Sequence, residues 1–447
     1  MKLSSIILAA GKGTRMYSSL PKVLHRVCGL PIIHYVVDMA NNIGAEVPVV
    51  VTGHGADQVK DFLGDRVKYA SQTEQLGTGH AVLCAQDSMN SVDGLILVTP
   101  GDMPLFTEQT LKKLVELQVA NSGPMSMLTV ISEDSHGFGR IIRDTDESVL
   151  AIVEEAQATP DQLLIKELNV GAYCFKAVWL WNALKKIKLS PKGEYYLTDL
   201  VEIAVNEGLK VAAFVVPDLD ETLGINTRIH LAEAETIMRR RILRSLMLSG
   251  VTIINPESTY IESSVKIGQD TIIQPNTFLR GKTQIGTGCE IGPNTIITDC
   301  QVGNRVKILA AVMDKAIVED DVDMGPFVRL RKGAHLGQHV HMGNFGEVKD
   351  SYLGEGTKMG HFSYIGNATI GKDVNIGAGT ITCNYDGEHK HPTVIGDNVF
   401  IGSDTMLVAP LNIGQNAHTG AGAVVIHDVE PGDTVVGVPA KPLRKKE

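Results

Sequence analysis

Residues 395–414 read IGDNVFIGSDTMLVAPLNIG, and aliphatic side chains recur in this stretch at every sixth position. The same spacing occurs earlier in the second half of the chain; its aliphatic positions are Val318, Met324, Leu330, Leu336, Met342, Val348, Ile395, Ile401, Leu407 and Ile413. A six-residue period fits neither a helix nor a hairpin meander, and it is the hexapeptide signature of a parallel β-helix. We therefore predict a left-handed parallel β-helix over residues 250–447, with the aliphatic side chains in its core.

Two breaks interrupt this repeat. One lies near Leu353, and the other lies between Thr380 and Thr393, where Asn384-Tyr385-Asp386-Gly387 is predicted to leave the prism as a loop. Because functional residues concentrate where a regular scaffold is interrupted, both breaks are candidate sites.

The first half of the chain has a different rhythm. Short β-branched runs at residues 6–10, 47–52, 95–98 and 125–130 predict buried parallel strands. Helical patterns lie between them, one from Pro31 to Gly44 and one through residues 111–119. Such alternation predicts an α/β, Rossmann-like domain over residues 1–226, with ligands bound beyond the carboxyl ends of the strands.

Residues 227–249 predict one long helix that links the two domains and ends at Gly250. Its arginines are Arg239, Arg240, Arg241 and Arg244. We interpret them as a solvated helix face in preference to a polyanion site.

Composition excludes several classes of function. The 447 residues are 43% hydrophobic and 21% charged, with a formal net charge of -10, so a general nucleic-acid binder with a basic face is not expected. The six cysteines form no CxxC pair and are expected to be reduced, buried thiols. No run approaches the roughly 18 apolar residues of a membrane span. The apolar start at residues 1–10 is interpreted as a buried strand and not as a signal peptide, and a cytoplasmic protein is expected.

A glycine-rich turn follows the first strand. Residues 8–16 read LAAGKGTRM, and Pro21-Lys22 comes shortly after. Glycines let backbone N–H groups approach phosphate oxygens, and Arg15 and Lys22 would neutralise them. The turn is neither a Walker A loop nor a dinucleotide GxGxxG motif. A simple strand–loop turn remains an alternative at this stage.

Taken whole, LAAGKGTRM…PK resembles the signature of sugar-1-phosphate nucleotidyltransferases. Further motifs follow in order: Gln72, Gln75-Leu76-Gly77-Thr78-Gly79, Gly101-Asp102, Gly137-Phe138-Gly139-Arg140, Glu154, Asn169 and Gly224-Ile225-Asn226. Their order is similar to the uridylyltransferase domain of the bifunctional N-acetylglucosamine-1-phosphate uridylyltransferase/glucosamine-1-phosphate N-acetyltransferase family.

The resemblance implies a role for each matching position. Residues implied to hold the uridine part of UTP are Leu8, Ala9, Gly11, Gln72, Gly77 and Thr78. Residues implied to hold the N-acetylglucosamine are Gly139, Glu154 and Asn169. Asp102 and Asn226 are implied to bind Mg²⁺, and Lys22 and Arg15 to assist the transfer. The sequence departs from the family pattern at Pro100, at Glu154-Glu155-Ala156-Gln157-Ala158 and at Asn169-Val170-Gly171.

Polar residues also interrupt the repeat half. N-acetylation of an amino sugar needs a base, for which histidine is suited by its pKa, and the substrate phosphate needs cations such as Arg331 and Lys349. Residues 360–387 closely resemble the acetyltransferase domain of the same family. This implies that His361 is the general base and that the amino-sugar phosphate is bound by Arg331, Lys349, Tyr364 and Asn375. The implied acetyl-CoA residues are Ala378, Asn384, Tyr385, Lys390, Ser403 and Ala421.

The resemblance further implies a homotrimer, with the acetyltransferase site between neighbouring β-helices. Near Gly437 the family often has an arginine that this chain lacks, so we hypothesise that Lys441, Arg444, Lys445 or Lys446 binds the CoA phosphates. The two HxH pairs, His339 with His341 and His389 with His391, are a weak alternative signal for a metal site.

Three functions are weighed on these grounds. The first is the bifunctional enzyme, acting on small-molecule substrates. The second is a nucleotidyltransferase for another sugar whose β-helix serves regulation or assembly, and the third is a non-catalytic assembly protein. The residues around His361 disfavour the second, and Arg15, Lys22, Asp102 and Asn226 together disfavour the third.

Overall fold

The computed structural model describes residues 2–89, 93–135, 137–145 and 147–442. The chain divides into two compact units, Met1–Met238 and Arg239–Glu447. The predicted helix at residues 227–249 is observed as Arg228–Leu248. The domain boundaries at residues 226 and 249 remain a prediction, because the division into compact units falls inside this helix.

The first unit is built on a mostly parallel sheet. The strands of this unit are β1 Leu3–Ala9, β2 Arg26–Val27, β3 Leu30–Pro31, β4 Val49–Thr52, β5 Lys68–Ser71, β6 Leu95–Pro100, β7 Met125–Ile131, β8 Arg140–Arg143, β9 Val149–Val153, β10 Glu167–Lys176 and β11 Val211–Val215, of which β2 and β3 form a separate two-stranded sheet. Its helices are α1 Ile32–Asn42, α2 Ala56–Leu63, α3 Thr78–Cys84, α4 Glu108–Ala120, α5 Pro160–Leu163, α6 Ala177–Leu184 and α7 Asp199–Asn206; α8 Arg228–Leu248 begins in the first unit and ends in the second.

The strand order across this sheet is β11-β7-β10-β6-β1-β4-β5. Strand β10 runs antiparallel to both of its neighbours, and the other pairings along this path are parallel. The four predicted strands all form, and β1 lies in the middle of the sheet with Ile6 and Ile7 fully buried. The carboxyl ends of β1 and β6 therefore lie side by side, which places the glycine-rich turn next to Asp102.

The second unit is a three-sided parallel β-helix, as the six-residue period predicts. Face A contains Thr252–Ile253, Ile272–Ile273, Glu290–Ile291, Lys307–Ile308, Asp323–Met324, His341–Met342, Lys358–Met359, Asn375–Ile376, Phe400–Ile401, His418–Thr419, Thr434–Val436 and Lys441–Pro442. Face B contains Tyr260–Ile261, Phe278–Arg280, Ile296–Thr298, Val312–Asp314, Arg329–Leu330, Gly346–Lys349, Ser363–Gly366, Ile381–Cys383, Met406–Val408 and Val424–Val425. Face C contains Lys266–Ile267, Gln284–Ile285, Gln301–Val302, Ile317–Val318, Ala334–Leu336, Ser351–Leu353, Ala368–Ile370, Thr393–Ile395 and Leu411–Ile413.

The aliphatic positions of the repeat form the core of this prism. Leu330, Leu336 and Met342 are fully buried, and each lies on a different face. Because each coil covers the core of the next, a continuous apolar column results.

The two breaks in the repeat have different structures. The ladder on face C continues from Leu336 through Leu353 to Ile370, so the break near Leu353 interrupts the six-residue spacing and not the prism. A turn that is one residue shorter absorbs the irregularity at Asp350, which has a positive φ of 45°. At the second break the chain leaves face B after Cys383 and re-enters face C at Thr393, as predicted for the loop.

The cysteines and arginines largely follow expectation. Within the described residues none of the six cysteines is in a disulfide; Cys84 and Cys383 are partly exposed, and the other four are buried. Arg239 departs from the interpretation of a fully solvated helix face, since its guanidinium lies 4.5 Å from the centre of the Tyr260 ring. In the described part of the chain no helix is long and apolar enough to span a bilayer.

Candidate active sites

A cavity of about 440 Å³ opens at the carboxyl ends of β1 and β6 in the first unit. Ten residues predicted to contact UTP, sugar or metal line this cavity: Leu8, Ala9, Gly11, Lys22, Gln72, Gly77, Thr78, Asp102, Glu154 and Asn169. Residues that are up to 161 positions apart in sequence are thus brought to one place, as expected for an α/β sheet.

The glycine-rich turn leaves open space at the mouth of the cavity. A Cβ atom at Gly11 would have no heavy atom within 4 Å among the described residues, so the backbone there is free to approach a phosphate. Gly13 has a φ of +59° and begins the short 3₁₀ helix Thr14–Met16. Arg15 lies on that helix with an exposed side chain and is not part of the cavity lining.

Lys22 joins the two residues predicted to bind Mg²⁺. Its Nζ donates hydrogen bonds to Asp102 Oδ2 and, at 3.0 Å, to Asn226 Oδ1. The Asn226 backbone is held in turn by a hydrogen bond to His230 Nδ1 at 3.3 Å. Asp102 and Asn226 therefore present one carboxylate and one amide oxygen to the same point, although they lie in distant parts of the sequence.

Three of the residues predicted to hold uridine, Gln72, Gly77 and Thr78, lie in one hydrogen-bonded loop. Buried Gln72 donates from Nε2 to Gly77 O at 2.9 Å, and Gln75 donates from Nε2 to Ala10 O at 2.9 Å. Gly77 has a φ of +95°, and the Thr78 hydroxyl accepts from the Leu197 amide at 3.0 Å. This loop is therefore tied both to the glycine-rich turn and to the segment that precedes α7.

The residues predicted to hold the sugar lie on the opposite wall. Asn169 is at a bulge of β10, where its side chain contacts the Tyr173 hydroxyl at 2.7 Å and its backbone amide donates to Gly139 O at 2.8 Å. Glu154 accepts a hydrogen bond from the Thr198 hydroxyl at 3.0 Å. Gly139 thus contacts the site through Asn169, outside the cavity lining itself.

Sequence reasoning missed one complete wall of this cavity. The additional lining residues include Gln75, Tyr173, Glu194, Tyr196, Leu197 and Thr198. The run Glu194–Thr198 was the available signal, because four polar or aromatic residues among five just before a helix are unusual for a simple connection. Burial raises the pKa of Tyr173, and burial followed by the carboxylates of Glu202 and Glu154 raises the pKa of Asp199 to about 6.

The second unit brings its predicted residues together along one edge. His361, Ala378, Ser403 and Ala421 occupy equivalent positions on four successive coils, each two residues beyond a face A strand. Backbone hydrogen bonds connect the coils here, from Asp404 N to Ala378 O at 2.6 Å and from Gly422 N to Ser403 O at 2.8 Å. The predicted base and three of the predicted acetyl-CoA residues therefore form a single column.

The predicted phosphate ligands lie beside this column. Tyr364 and Lys349 are on adjacent strands of face B, Arg331 directly follows the preceding strand, and Asn375 is on face A. Arg331 pairs with Glu347 at 3.0 Å, and Lys349 pairs with Asp350 at 3.4 Å.

The Asn384 loop folds back over face B. Its Tyr385 and Lys390 form an antiparallel bridge, and Asn384 Nδ2 donates to Asn367 Oδ1 at 2.7 Å. Hydrogen bonds from the amides of His389 and Glu388 and from the His391 side chain hold the pKa of Asp386 well below its usual range. Lys390 is brought next to Lys349, whose ammonium lowers the pKa of Lys390. Two adjacent ammonium groups form a favourable place for an anion.

The weak metal signals from the HxH pairs find no support. His341 pairs with Asp323 and His391 pairs with Asp386, and within the described ranges no group of three or more His, Cys, Asp or Glu could hold a metal ion. Of the four cations considered for CoA phosphates, Lys441 is exposed on the last strand; Arg444, Lys445 and Lys446 lie outside the described residues.

Comparison with protein families matches both halves of the chain. The nucleotidyl transferase family matches residues 4–220, and the bacterial transferase hexapeptide family, of six repeats, matches residues 264–299 and 392–427. Fold and sites together define a nucleotidyltransferase joined to a hexapeptide-repeat transferase.

Whole-length relatives specify the family. The chain is 46% identical to the bifunctional protein GlmU of Streptococcus agalactiae over 434 residues, which cover 97% of this chain and 95% of that protein. It is also 46% identical to the bifunctional protein GlmU of Geobacillus thermodenitrificans over 447 residues, covering 100% and 97% of the two chains. The chain belongs to the bifunctional GlmU family. It is therefore a bifunctional transferase with nucleotide and acetyl-CoA substrates, and neither alternative function is retained.

Proposed function

We propose that this enzyme completes the synthesis of UDP-N-acetylglucosamine in two separate sites. The second unit transfers the acetyl group of acetyl-CoA to glucosamine-1-phosphate. The first unit then transfers uridine monophosphate from UTP to N-acetylglucosamine-1-phosphate and releases pyrophosphate. The observation that carries the proposal is the 440 Å³ cavity, in which a phosphate-binding turn, a lysine and a carboxylate converge. The product serves as a precursor for cell-wall synthesis.

In the uridylyl transfer, the sugar phosphate attacks the α-phosphate of UTP, so two anions must meet. Gly11 and its neighbours offer backbone N–H groups to the phosphates, and Lys22 supplies a positive charge within the cavity. Arg15 is exposed on the short helix that follows the glycine-rich turn, and its charge supports a role in binding the departing pyrophosphate. Gln72, Gly77 and Thr78 hold the nucleoside, and Glu154 and Asn169 hold the sugar.

The donor set at Asp102 and Asn226 fits Mg²⁺. Their two oxygens meet at one point, and Mg²⁺ prefers few protein oxygens supplemented by substrate oxygens and water. When bound there, Mg²⁺ would offset the negative charge that develops on the phosphates. A backbone hydrogen bond from the Ile225 amide to the Asp102 carbonyl, 3.0 Å long, keeps the two proposed metal ligands close together.

In the acetyl transfer, His361 takes the proton of the attacking amine. His361 is exposed at the edge of the prism, and it is the first residue of the column that continues with Ala378, Ser403 and Ala421. The thioester carbonyl carbon is attacked, the C–S bond breaks, and CoA leaves as its thiol. Arg331, Lys349 and Tyr364 bind the sugar phosphate. Asn384, Tyr385 and Lys390 bind the acetyl-CoA side.

We further propose a homotrimer in the cytoplasm. The hexapeptide family supports a trimer, and the exposed column at His361 supports a site that a neighbouring prism completes. UTP and acetyl-CoA are cytoplasmic metabolites, which supports the location.

The test uses purified full-length enzyme with glucosamine-1-phosphate, acetyl-CoA, UTP and MgCl₂. Free thiol and pyrophosphate are followed separately, and the nucleotide product is identified by mass. We expect pyrophosphate only after thiol release has begun, and none when EDTA replaces MgCl₂. Pyrophosphate release from unacetylated sugar phosphate at an equal rate would contradict the proposed order.

A further inference from the structure

Lys22 lies at the point where the predicted metal ligands converge. Its ammonium donates to Asp102 Oδ2 and to Asn226 Oδ1 at 3.0 Å. The side chains of Lys22 and Asp102 are only 14% and 21% exposed. A mostly buried ammonium needs oxygen partners, and these two oxygens supply them.

The chain fixes the stem of Lys22 and leaves its end movable. A Cβ atom at Gly13 would lie 2.7 Å from Lys22 Cβ, so the absence of a side chain at Gly13 lets the glycine-rich turn pack against the stem. Beyond Cβ, the side chain has rotatable bonds through which the ammonium can change partners. Lys22 lines the cavity together with Gly11 of the glycine-rich turn, which is the part of the cavity proposed to bind phosphate.

A divalent ion bound by both oxygens needs the point that the ammonium takes. Two cations at the same two oxygens would also repel each other strongly at this separation. We infer that Lys22 and the divalent ion compete for Asp102 and Asn226, so that binding of the metal transfers the ammonium from these protein oxygens to the phosphates of the substrate. This inference rests on the proposed metal site at Asp102 and Asn226.

The competition has two thermodynamic consequences. If Lys22 takes the site nine-tenths of the time, the apparent affinity of the metal is lowered about tenfold. UTP offers Lys22 new oxygen partners, so nucleotide and metal strengthen each other's binding beyond any direct contact between them. The lysine thus weakens metal binding until the nucleotide is present.

The test measures Mn²⁺ binding to the full-length protein by electron paramagnetic resonance, without nucleotide. We expect Lys22→Met to bind Mn²⁺ about tenfold more tightly than the unaltered protein, although its uridylyl transfer is slower. Lys12→Met, which removes the same charge from an exposed position in the glycine-rich turn, should change the affinity less than threefold. Thiol release reports that the second unit of each variant is intact, and circular dichroism reports that the first unit is folded.

A further variant separates the two ideas that are being tested. Adding Asp102→Asn to Lys22→Met should abolish the tight Mn²⁺ site. If the site disappears with Asp102→Asn but Lys22→Met binds Mn²⁺ no more tightly than the unaltered protein, the competition is refuted and the metal site stands. If Asp102→Asn leaves Mn²⁺ binding intact, the metal site itself is misplaced.

Discussion

Replacing Gly77 by alanine should damage the uridylyltransferase site through the backbone alone. Gly77 has a φ of +95°, and an added Cβ would lie 2.6 Å from Tyr195 O and 2.9 Å from Tyr195 N. Both atoms belong to backbone that is fixed by hydrogen bonds, from Gly79 N to Tyr195 O at 2.8 Å and from Tyr195 N to Leu76 O at 2.7 Å. The loop cannot keep these bonds and accept the methyl group.

The expected cost has two parts. Left-handed backbone strain costs about 1–2 kcal/mol for a residue with a Cβ, and relief of the contact with Tyr195 adds roughly 1–2 kcal/mol. Because the displaced loop carries Gln72's partner and Thr78, we expect kcat/KM for UTP to fall about 10- to 100-fold, which corresponds to roughly 1.4–2.7 kcal/mol.

Gly208→Ala is the matched control. Gly208 has a φ of +71°, but its added Cβ would meet no heavy atom within 4 Å among the described residues. Pyrophosphate release measures the effect on the first site, thiol release reports the integrity of the second, and urea unfolding gives the stability difference. If Gly77→Ala and Gly208→Ala have the same kcat/KM, the close approach of Gly77 to Tyr195 does not shape the site.

Three further substitutions test other parts of the structure. The pKa of Asp199 is raised to about 6 in the folded protein, so Asp199 ionises first in the unfolded chain and the free energy of unfolding falls as pH rises from about 4 to about 6. Asp199→Asn should therefore stabilise the protein by about 1 kcal/mol at pH 7.5, after allowance for solvent screening, and hardly at pH 4. Urea titrations at the two pH values measure this difference. An equal gain at both pH values would contradict this. Arg228 Nε donates to Met16 O at 3.2 Å and so holds the short helix that carries Arg15. Arg228→Met should therefore lower kcat for pyrophosphate release about tenfold, whereas Arg240→Met, at an exposed position, should leave kcat unchanged. Equal effects of the two variants would refute a role of Arg228 in positioning Arg15. Lys390→Met should raise KM for acetyl-CoA about tenfold in the thiol assay and leave KM for UTP unchanged, since Lys390 is the cation proposed to bind acetyl-CoA. An unchanged KM for acetyl-CoA would exclude that role.

The β-helix could be predicted from sequence because the repeating geometry of its coils sets the period of the aliphatic residues. One aliphatic side chain from each face, such as Leu330 or Leu336, points into the core, so each six-residue repeat corresponds to one side of the prism. The predicted break near Leu353 is a break in this spacing alone. A turn that is one residue shorter shifts the count but keeps Leu353 in the ladder, and only the register shows this.

The first site was partly predictable. The residues on the glycine-rich turn and at the ends of β1 and β6 follow from the rule that ligands bind beyond the carboxyl ends of parallel strands. The wall from Glu194 to Thr198 could not be found in this way, because it reaches the cavity through tertiary hydrogen bonds to Gly79 and Thr78. The antiparallel course of β10, which supplies Asn169, likewise depends on long-range pairing.

The central claim is that the enzyme contains two independent active sites, and one pair of variants tests it most directly. Pyrophosphate and thiol release are measured side by side for Asp102→Asn and His361→Asn, with secondary structure followed by circular dichroism. Asp102→Asn should lose at least about 100-fold in pyrophosphate release and keep thiol release within about twofold. His361→Asn should lose thiol release by a similar factor and keep pyrophosphate release from N-acetylglucosamine-1-phosphate. Loss of both activities from either single change, in a protein that is still folded, would contradict the account.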